Sequence, residues 1–260
     1  MISAHPRSTL LADNEPGPAQ LLRERGHSPF FFTCDHAGHR IPRSLGQLGL
    51  EAADLHRHIA WDIGAAALTV QLSAALDATA VLQRYSRLVI DCNRPLHSAD
   101  SIALLSEETL VPGNQNLGTE ACGQRVREVF EPYHACIRSQ LDARLQRGQP
   151  TLLIAVHSYT PVYRGQERPW HVGVLYHRDA RLAHALGAAL GNEPGLVVGD
   201  NQPYSVSDET DYAIPEYGER RGLPHVELEI RQDLIQDPAG QREWIERLAR
   251  LMLPLAKLFA

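Results

Sequence analysis

The sequence predicts an α/β fold: three layers, helix over sheet over helix, around a mixed, largely parallel central sheet. Three observations predict it. Short apolar runs alternate with amphipathic stretches along the chain, the rhythm of strands joined by covering helices. Runs such as Phe30–Cys34 and Leu152–Val156 are mostly apolar rather than alternating, so both faces of those strands need burial. A chain of 260 residues with 43% hydrophobic content can also close one core without disulfide or metal staples.

Residues 1–27 mix Pro, Gly, Asn and charge without sustained periodicity and read as an irregular N-terminal arm. The remainder, 28–260, reads as a single domain that carries the functional site. Phe30–Cys34 reads as a buried strand, Trp61–Leu76 as a helix, and Ala80–Asp91 as a strand or hairpin. Over Glu120–Arg147, a stripe of Val126, Val129, Phe130, Tyr133, Ile137, Leu141 and Leu145 marks a long helix, ended by Gly148 and Pro150. Thr151–His157 and His171–Tyr176 follow as strands, Asp179–Leu190 as a helix, Leu196–Val198 and His225–Ile230 as strands, and Glu243–Leu258 as the closing helix. Two long connections remain, Arg94–Thr119 and Gly199–Gly222, and connections of that length commonly form pocket walls.

Charge narrows the partners. Lys plus Arg total 25 against 31 Asp plus Glu, a formal charge of -6, so no large basic field is available for nucleic acid or an anionic membrane. Apolar runs fall far short of the roughly 20 residues that span a bilayer. The first residues lack a continuous apolar signal core, so the expected location is cytoplasmic. Cys34, Cys92, Cys122 and Cys136 are scattered and form no C-x-x-C pair, the pattern of reduced, mostly buried thiols. No glycine pattern suited to nucleotide phosphates follows a strand. A small polar substrate fits these features, and a homo-oligomer is compatible with them.

Two apolar runs end in a histidine, and strand ends line the crevices of open α/β sheets. One is Phe30-Phe31-Phe32-Thr33-Cys34-Asp35-His36; the other is Leu152-Leu153-Ile154-Ala155-Val156-His157. A single such histidine is usually a turn or core hydrogen-bonding group, but a pair on neighbouring strands is a natural set of zinc ligands. Two imidazoles on one ion, each bonded at roughly 2.1 Å, must lie within about 6 Å of each other. A third ligand comes from Asp62, Asp35 or His39. Asp62 ranks first, because it opens the predicted helix and projects toward the crevice, although an N-cap role would also explain it.

A hydrolytic site needs a base. Along His225–Ile230, Glu227 and Glu229 point to one face of the strand; Glu229 is the candidate general base and Glu227 the fallback, while Arg231 and Asp233 read as an ion pair at the strand end. Arg84, Arg87 and Arg94 supply guanidinium groups for a substrate carboxylate. Asn93 and Arg94 follow the run Arg87–Cys92 into the same crevice, although most arginines simply face solvent. From the second long connection Tyr204 is the candidate substrate contact, with Tyr212 and Tyr217 in the same segment.

The motifs Cys34-Asp35-His36-Ala37-Gly38, Asp62-Ile63-Gly64-Ala65, Asp91-Cys92-Asn93-Arg94-Pro95, His157-Ser158-Tyr159-Thr160-Pro161 and His225 through Leu234 together resemble the N-formylglutamate amidohydrolase family. That family is similar to the zinc carboxypeptidase and aspartoacylase group. The resemblance implies a zinc-carboxypeptidase-like α/β/α fold, one catalytic Zn2+, and cleavage of the amide of an N-acyl acidic amino acid such as N-formylglutamate. It also implies His36 and His157 as metal ligands with Asp62 near the acidic ligand, Glu229 as the catalytic glutamate, Asn93 and Arg94 on a substrate carboxylate, and Arg87 on the scissile carbonyl. The sequence departs from the group's His-x-x-Glu pair, because the residue three beyond His36 is His39. Two competing readings are a small-molecule binding or regulatory protein on the same fold, and serine or cysteine hydrolysis through Ser158 or Cys34; neither of those residues lies in a G-x-S-x-G elbow.

Overall fold

A computed structural model describes residues 9–259. Seven strands build one mixed sheet: β1 (Ala19–Leu22), β2 (Phe30–Cys34), β3 (Thr79–Gln83), β4 (Leu152–Tyr159), β5 (Val172–Leu175), β6 (Val198–Asp200) and β7 (His225–Arg231), in the spatial order β1-β3-β2-β4-β7-β5-β6. The central four, β3-β2-β4-β7, run parallel. At one edge β1 pairs antiparallel with β3, and at the other β5 and β6 run parallel to each other but antiparallel to β7. The predicted α/β architecture with a mixed, largely parallel sheet is therefore the observed one.

Helices cover both faces. On one side α1 (Ala65–Leu76), α4 (Arg181–Gly191) and α5 (Pro238–Leu258) press Leu68, Leu72, Leu186 and Leu248 onto Phe30, Phe32, Ile154 and Leu228. On the other, α2 (Thr119–Arg125) continues through a π turn at Val126–Phe130 into α3 (Glu131–Gln146), which packs Tyr133, Ile137 and Leu141 against Phe31, Val81 and Leu153. The uniformly apolar strands thus find burial on each face, which is why their sequence does not alternate. At the start of α5 the Asp237 carboxylate accepts bonds from the N–H groups of Ala239 and Gly240, lengthening that helix by five residues beyond its expected start at Glu243.

Several expectations need correction. The stretch read as an irregular arm supplies β1, and Leu10 within it is buried; residues 1–8 lie outside the described residues. Helix α1 starts at Ala65, because Gly64 takes a left-handed conformation with φ of 85°. Asp62 therefore precedes the helix and caps nothing. The stretch Ala80–Asp91 holds most of the five-residue strand Thr79–Gln83 and then a bend rather than a hairpin. The two long connections are also partly structured: a small hairpin, Leu105–Ser106 with Thr109–Leu110, lies in the first, and a π turn, Ile214–Glu219, in the second.

Alternation sets up the site. Val226, Leu228 and Ile230 enter the core beneath α1, α4 and α5, so Glu227 and Glu229 project from the opposite face of β7. Val156 enters that core as well, leaving His157 on the same face as the two glutamates, and the register pairs His157 directly with Glu229. Just past β2, Gly38 lies so close to the bend after β3 that a Cβ would sit 2.0 Å from the Arg84 carbonyl oxygen. A backbone atom cannot yield that space. Gly38→Ala is expected to destabilise the fold by about 1–3 kcal/mol, read as a lower midpoint in urea unfolding; a midpoint equal to wild type would refute this close approach.

Candidate active site

A cavity of about 450 Å³ opens at the carboxyl ends of the parallel strands, and His36, Asp62, His157, Arg87, Glu227 and Glu229 line its depths. Both long connections wall it, one through Arg94, Ser106 and Glu107, the other through Tyr204, Ser205, Thr210 and Asp211. At its floor the rings of His36 and His157 lie 4.9 Å apart between centroids. Between them sits the Asp62 carboxylate, whose Oδ2 is 2.9 Å from His157 Nδ1 and 3.4 Å from His36 Nδ1. The backbone fixes this carboxylate from two sides: Asp62 N–H donates to the His36 carbonyl, and Ser158 N–H donates to Asp62 Oδ2. Ligand atoms of the three residues all lie within 4.8 Å of one another.

The outward-facing nitrogens carry the second half of the arrangement. His36 Nε2 bonds Asp91 Oδ1 at 2.7 Å, and His157 Nε2 faces Asp35 Oδ2 at 3.5 Å. Asp35 is itself held by the Tyr133 hydroxyl, 2.7 Å away. Each imidazole therefore turns one nitrogen to a carboxylate and the other toward Asp62, the orientation found where histidines ligate metals. His36 Nδ1 has no hydrogen-bond partner although it is buried, and a buried polar nitrogen left unpaired is costly. A tetrahedral ion bonded at roughly 2.1 Å holds neighbouring ligand atoms about 3.4 Å apart, which matches the His36–Asp62 separation. The set fits a divalent cation.

Charge here is unbalanced toward the acids. Burial works against ionisation of Asp62, yet His36 and His157 beside it hold its carboxyl far below the usual range. Asp91 is likewise burdened by burial and held well below that range by Arg87 and His36. Burial opposes protonation of His157, but Glu227, Asp35 and Asp62 outweigh it and raise its pKa well above the ordinary value. Burial, with Asp211 as the next contributor, pushes Glu227 up to about 8. Burial also raises Glu229, to about 7, against the pull of His157.

Residues 28–236 match the family described as N-formylglutamate amidohydrolase. This chain belongs to that family. It is accordingly an amidohydrolase, a hydrolase of amide bonds. A crystal structure of a gene product from Agrobacterium tumefaciens is 33% identical, with a TM-score of 0.92 over 96% of this chain and 99% of that one. N-formylglutamate amidohydrolase from Ralstonia eutropha shares the fold at 19% identity, with a TM-score of 0.70 over 94% of this chain and 98% of that one. Among curated proteins no match is found.

Of the residues singled out from the sequence of this family member, His36, Asp62, His157, Arg87, Asn93, Arg94, Tyr204, Glu227 and Glu229 line one cavity. Arg84 does not. The bend after β3 turns it away, and its guanidinium donates to the carbonyls of Gly17 and Ala19, tying the N-terminal segment to the sheet. His39 also points elsewhere, stacking near His56 and Trp61, and Asp35 stands behind His157 rather than beside Asp62. Asn93 is largely committed to structure, because its Oδ1 accepts from Tyr212 and Ala213 N–H and anchors the second long connection, while Nδ2 faces Asp211 and Glu227. Arg94 donates to the Thr210 carbonyl and lies 3.9 Å from Asp211. Arg231 and Asp233 form the expected ion pair at 2.8 Å.

Asp91 was missed as a functional residue, although the rule that located His36 also points to it: it is the first polar residue after Leu88-Val89-Ile90. Asp211, which also lines the cavity, sits in an irregular segment and carries no such signal. A second His-Asp-Glu group, His177, Asp208 and Glu219, is bridged by the Arg178 guanidinium, which occupies the space a cation would need.

These shifts predict how the metal-free protein responds to pH. A buried carboxyl raised above its unfolded value of 4.5 costs stability once the unfolded chain ionises, so Glu227 and Glu229 weaken the fold increasingly up to about pH 7–8. The raised His157 contributes stability that is complete below 6.5 and lost as pH climbs through its folded value. Asp62 and Asp91, both depressed, contribute above 3.8 and fail only on strong acidification. The melting temperature of chelator-treated protein should therefore fall from about pH 5 to about pH 9, and Glu229→Gln should flatten the slope; a melting temperature that rises over this range would contradict the electrostatics described here.

Proposed function

We propose that this chain is a zinc-dependent amidohydrolase that removes the acyl group, N-formyl by preference, from an acidic amino acid such as N-formylglutamate. The observation that carries the reading is the pairing at the two imidazoles, each with a carboxylate on one nitrogen while the other converges on Asp62. His36 Nδ1, His157 Nδ1 and a carboxylate oxygen of Asp62 would hold the ion, a nitrogen and oxygen donor set suited to zinc. Zinc so held supplies Lewis-acid polarisation of the acyl oxygen and a more acidic water.

The chain's own groups do the rest. Glu229 lies across from His157 in the sheet register, and its Oε2 is buried without a partner, free to take a proton from water and deliver it to the departing amine. Glu227 is less free, because Asn93 Nδ2 approaches it at 3.3 Å, which favours Glu229 as the base. Arg87 is clamped by two bonds to Asp91 Oδ2, at 3.0 and 2.7 Å, so its guanidinium stands fixed beside the carboxylate it shares with His36 and 3.8 Å from Asp62. A fixed cation there stabilises charge developing on the acyl oxygen without reorganising. Arg94, with Asn93 Nδ2, serves the carboxylate of this small-molecule substrate.

Zinc content and N-formylglutamate hydrolysis of the purified protein test the reading. His157→Ala should lose both, whereas Glu229→Gln should retain zinc and lose roughly 10²–10⁴ in kcat. On the acid side kcat/KM should fall as Glu229 takes up its proton, with a midpoint below the metal-free value of about 7 because a bound cation favours the carboxylate. Full activity in zinc-free His157→Ala would exclude the metal, and a Glu229→Gln variant unchanged in every property would favour a binding protein instead.

A further inference from the structure

One buried cation stands directly behind the tyrosine wall of this pocket and has no task in the chemistry above. Arg168 is 9% exposed, and its guanidinium lies over three tyrosine rings, 4.6 Å from the centroid of Tyr163, 4.8 Å from Tyr204 and 5.7 Å from Tyr159. Its one side-chain bond to a backbone acceptor is a long one, 3.5 Å to the Thr160 carbonyl. No carboxylate among the described residues pairs with it, whereas Arg87 pairs with Asp91 and Arg94 approaches Asp211. Its backbone is pinned: Arg168 N–H donates to Pro161, and its carbonyl accepts from Arg231. The cation is thus held in place without a carboxylate partner among the described residues, its side-chain hydrogen bonds going to the Thr160 carbonyl and the Tyr204 side chain.

A buried charge without a counter-ion is expensive, and aromatic faces offset only part of that cost. All three rings and Thr160 line the cavity. Tyr159 and His157 share one face of β4, two residues apart, which places the cage about 7 Å along the strand from the histidine. That is a distance a short dicarboxylic acid can bridge. Tyr204 is 43% exposed and comes from the second long connection, so it can move aside without disturbing the sheet.

We infer that Arg168, caged by Tyr159, Tyr163 and Tyr204, is a specificity-determining residue that receives a second carboxylate of the ligand, selecting dicarboxylates over their neutral isosteres. The inference rests on reading this pocket as an acyl amino acid site. Arg94 with Asn93 then holds one carboxylate, and the Arg168 fork completes its hydrogen bonds on the other. A neutral amide in that place leaves the cation uncompensated, so discrimination comes from a penalty on the wrong ligand as well as a gain for the right one.

The test is calorimetric titration of the zinc-loaded protein with L-glutamate and with L-glutamine, for wild type, Arg168→Met and Arg168→Lys. Wild type should bind glutamate at least about tenfold more tightly than glutamine. In Arg168→Met that ratio should fall to within about threefold of unity, and in Arg168→Lys to an intermediate value. No preference in wild type, or a wild-type ratio in Arg168→Met, overturns the inference. If Arg168→Met binds neither amino acid, Arg168→Lys decides: a reduced preference supports the role, and loss of both ligands there too overturns it in favour of a purely structural arginine. Hydrolysis of N-formylglutamate, followed in parallel, separates this question from the previous one, since absent turnover with an intact glutamate preference defeats the proposed reaction and leaves Arg168 in place.

Discussion

The architecture of the site depends on one constraint, the compensation of carboxylates buried where the parallel strands end. Asp35, Asp62, Asp91, Asp211, Glu227 and Glu229 are each less than a tenth exposed, and the cations beside them are Arg87, Arg94 and whatever charge the two histidines carry. Buried carboxylates survive only with partners. Asp62 and Asp91 have theirs, in the imidazoles and Arg87, and stay ionised; Glu227 and Glu229 have too few and are raised toward neutrality. The pocket is short of positive charge, and the shortage shows at Glu227 and Glu229, which a divalent cation held by Asp62 and the two imidazoles would relieve.

The sheet makes this concentration of charge possible. Alternation along β4 and β7 sends the apolar residues of both strands into the core under α1, α4 and α5 and sends His157, Glu227 and Glu229 the other way. The in-register parallel pairing then sets Glu229 beside His157. A slip of one residue would exchange the faces, burying acids in the hydrocarbon layer, so the packing that stabilises the domain also enforces the arrangement of the site. The neighbouring segments complete the pocket through hydrogen bonds rather than packing: Asn93 ties the second long connection to the strand-end motif through two backbone N–H groups.

Much of this was legible in the sequence, and the reasons differ from residue to residue. His36 and His157 stood out because an apolar strand that stops at a histidine announces a crevice position. Glu227 and Glu229 stood out because two acids with strand periodicity cannot both be on a buried face without a use. Arg84 misled for the converse reason: it follows a strand as His36 does, but the chain bends there and turns its side chain to the carbonyls of Gly17 and Ala19. The strand β1 was hidden because four residues, Ala19–Leu22, are too few to show a period. The clamp of Asp91 on Arg87 and His36, the Tyr133–Asp35 support behind His157, and the tyrosine cage around Arg168 join distant segments, and a linear pattern carries no record of such pairings.

Whether both imidazoles and the Asp62 carboxylate meet on one ion is the point on which the proposed chemistry turns. X-ray absorption at the zinc edge of the loaded protein measures it directly. The expected spectrum has nitrogen and oxygen neighbours at about 2.0–2.2 Å with the outer-shell scattering of two imidazoles. Sulfur in the first shell, or no imidazole scattering at all, would contradict the assignment of this cavity as a metal centre.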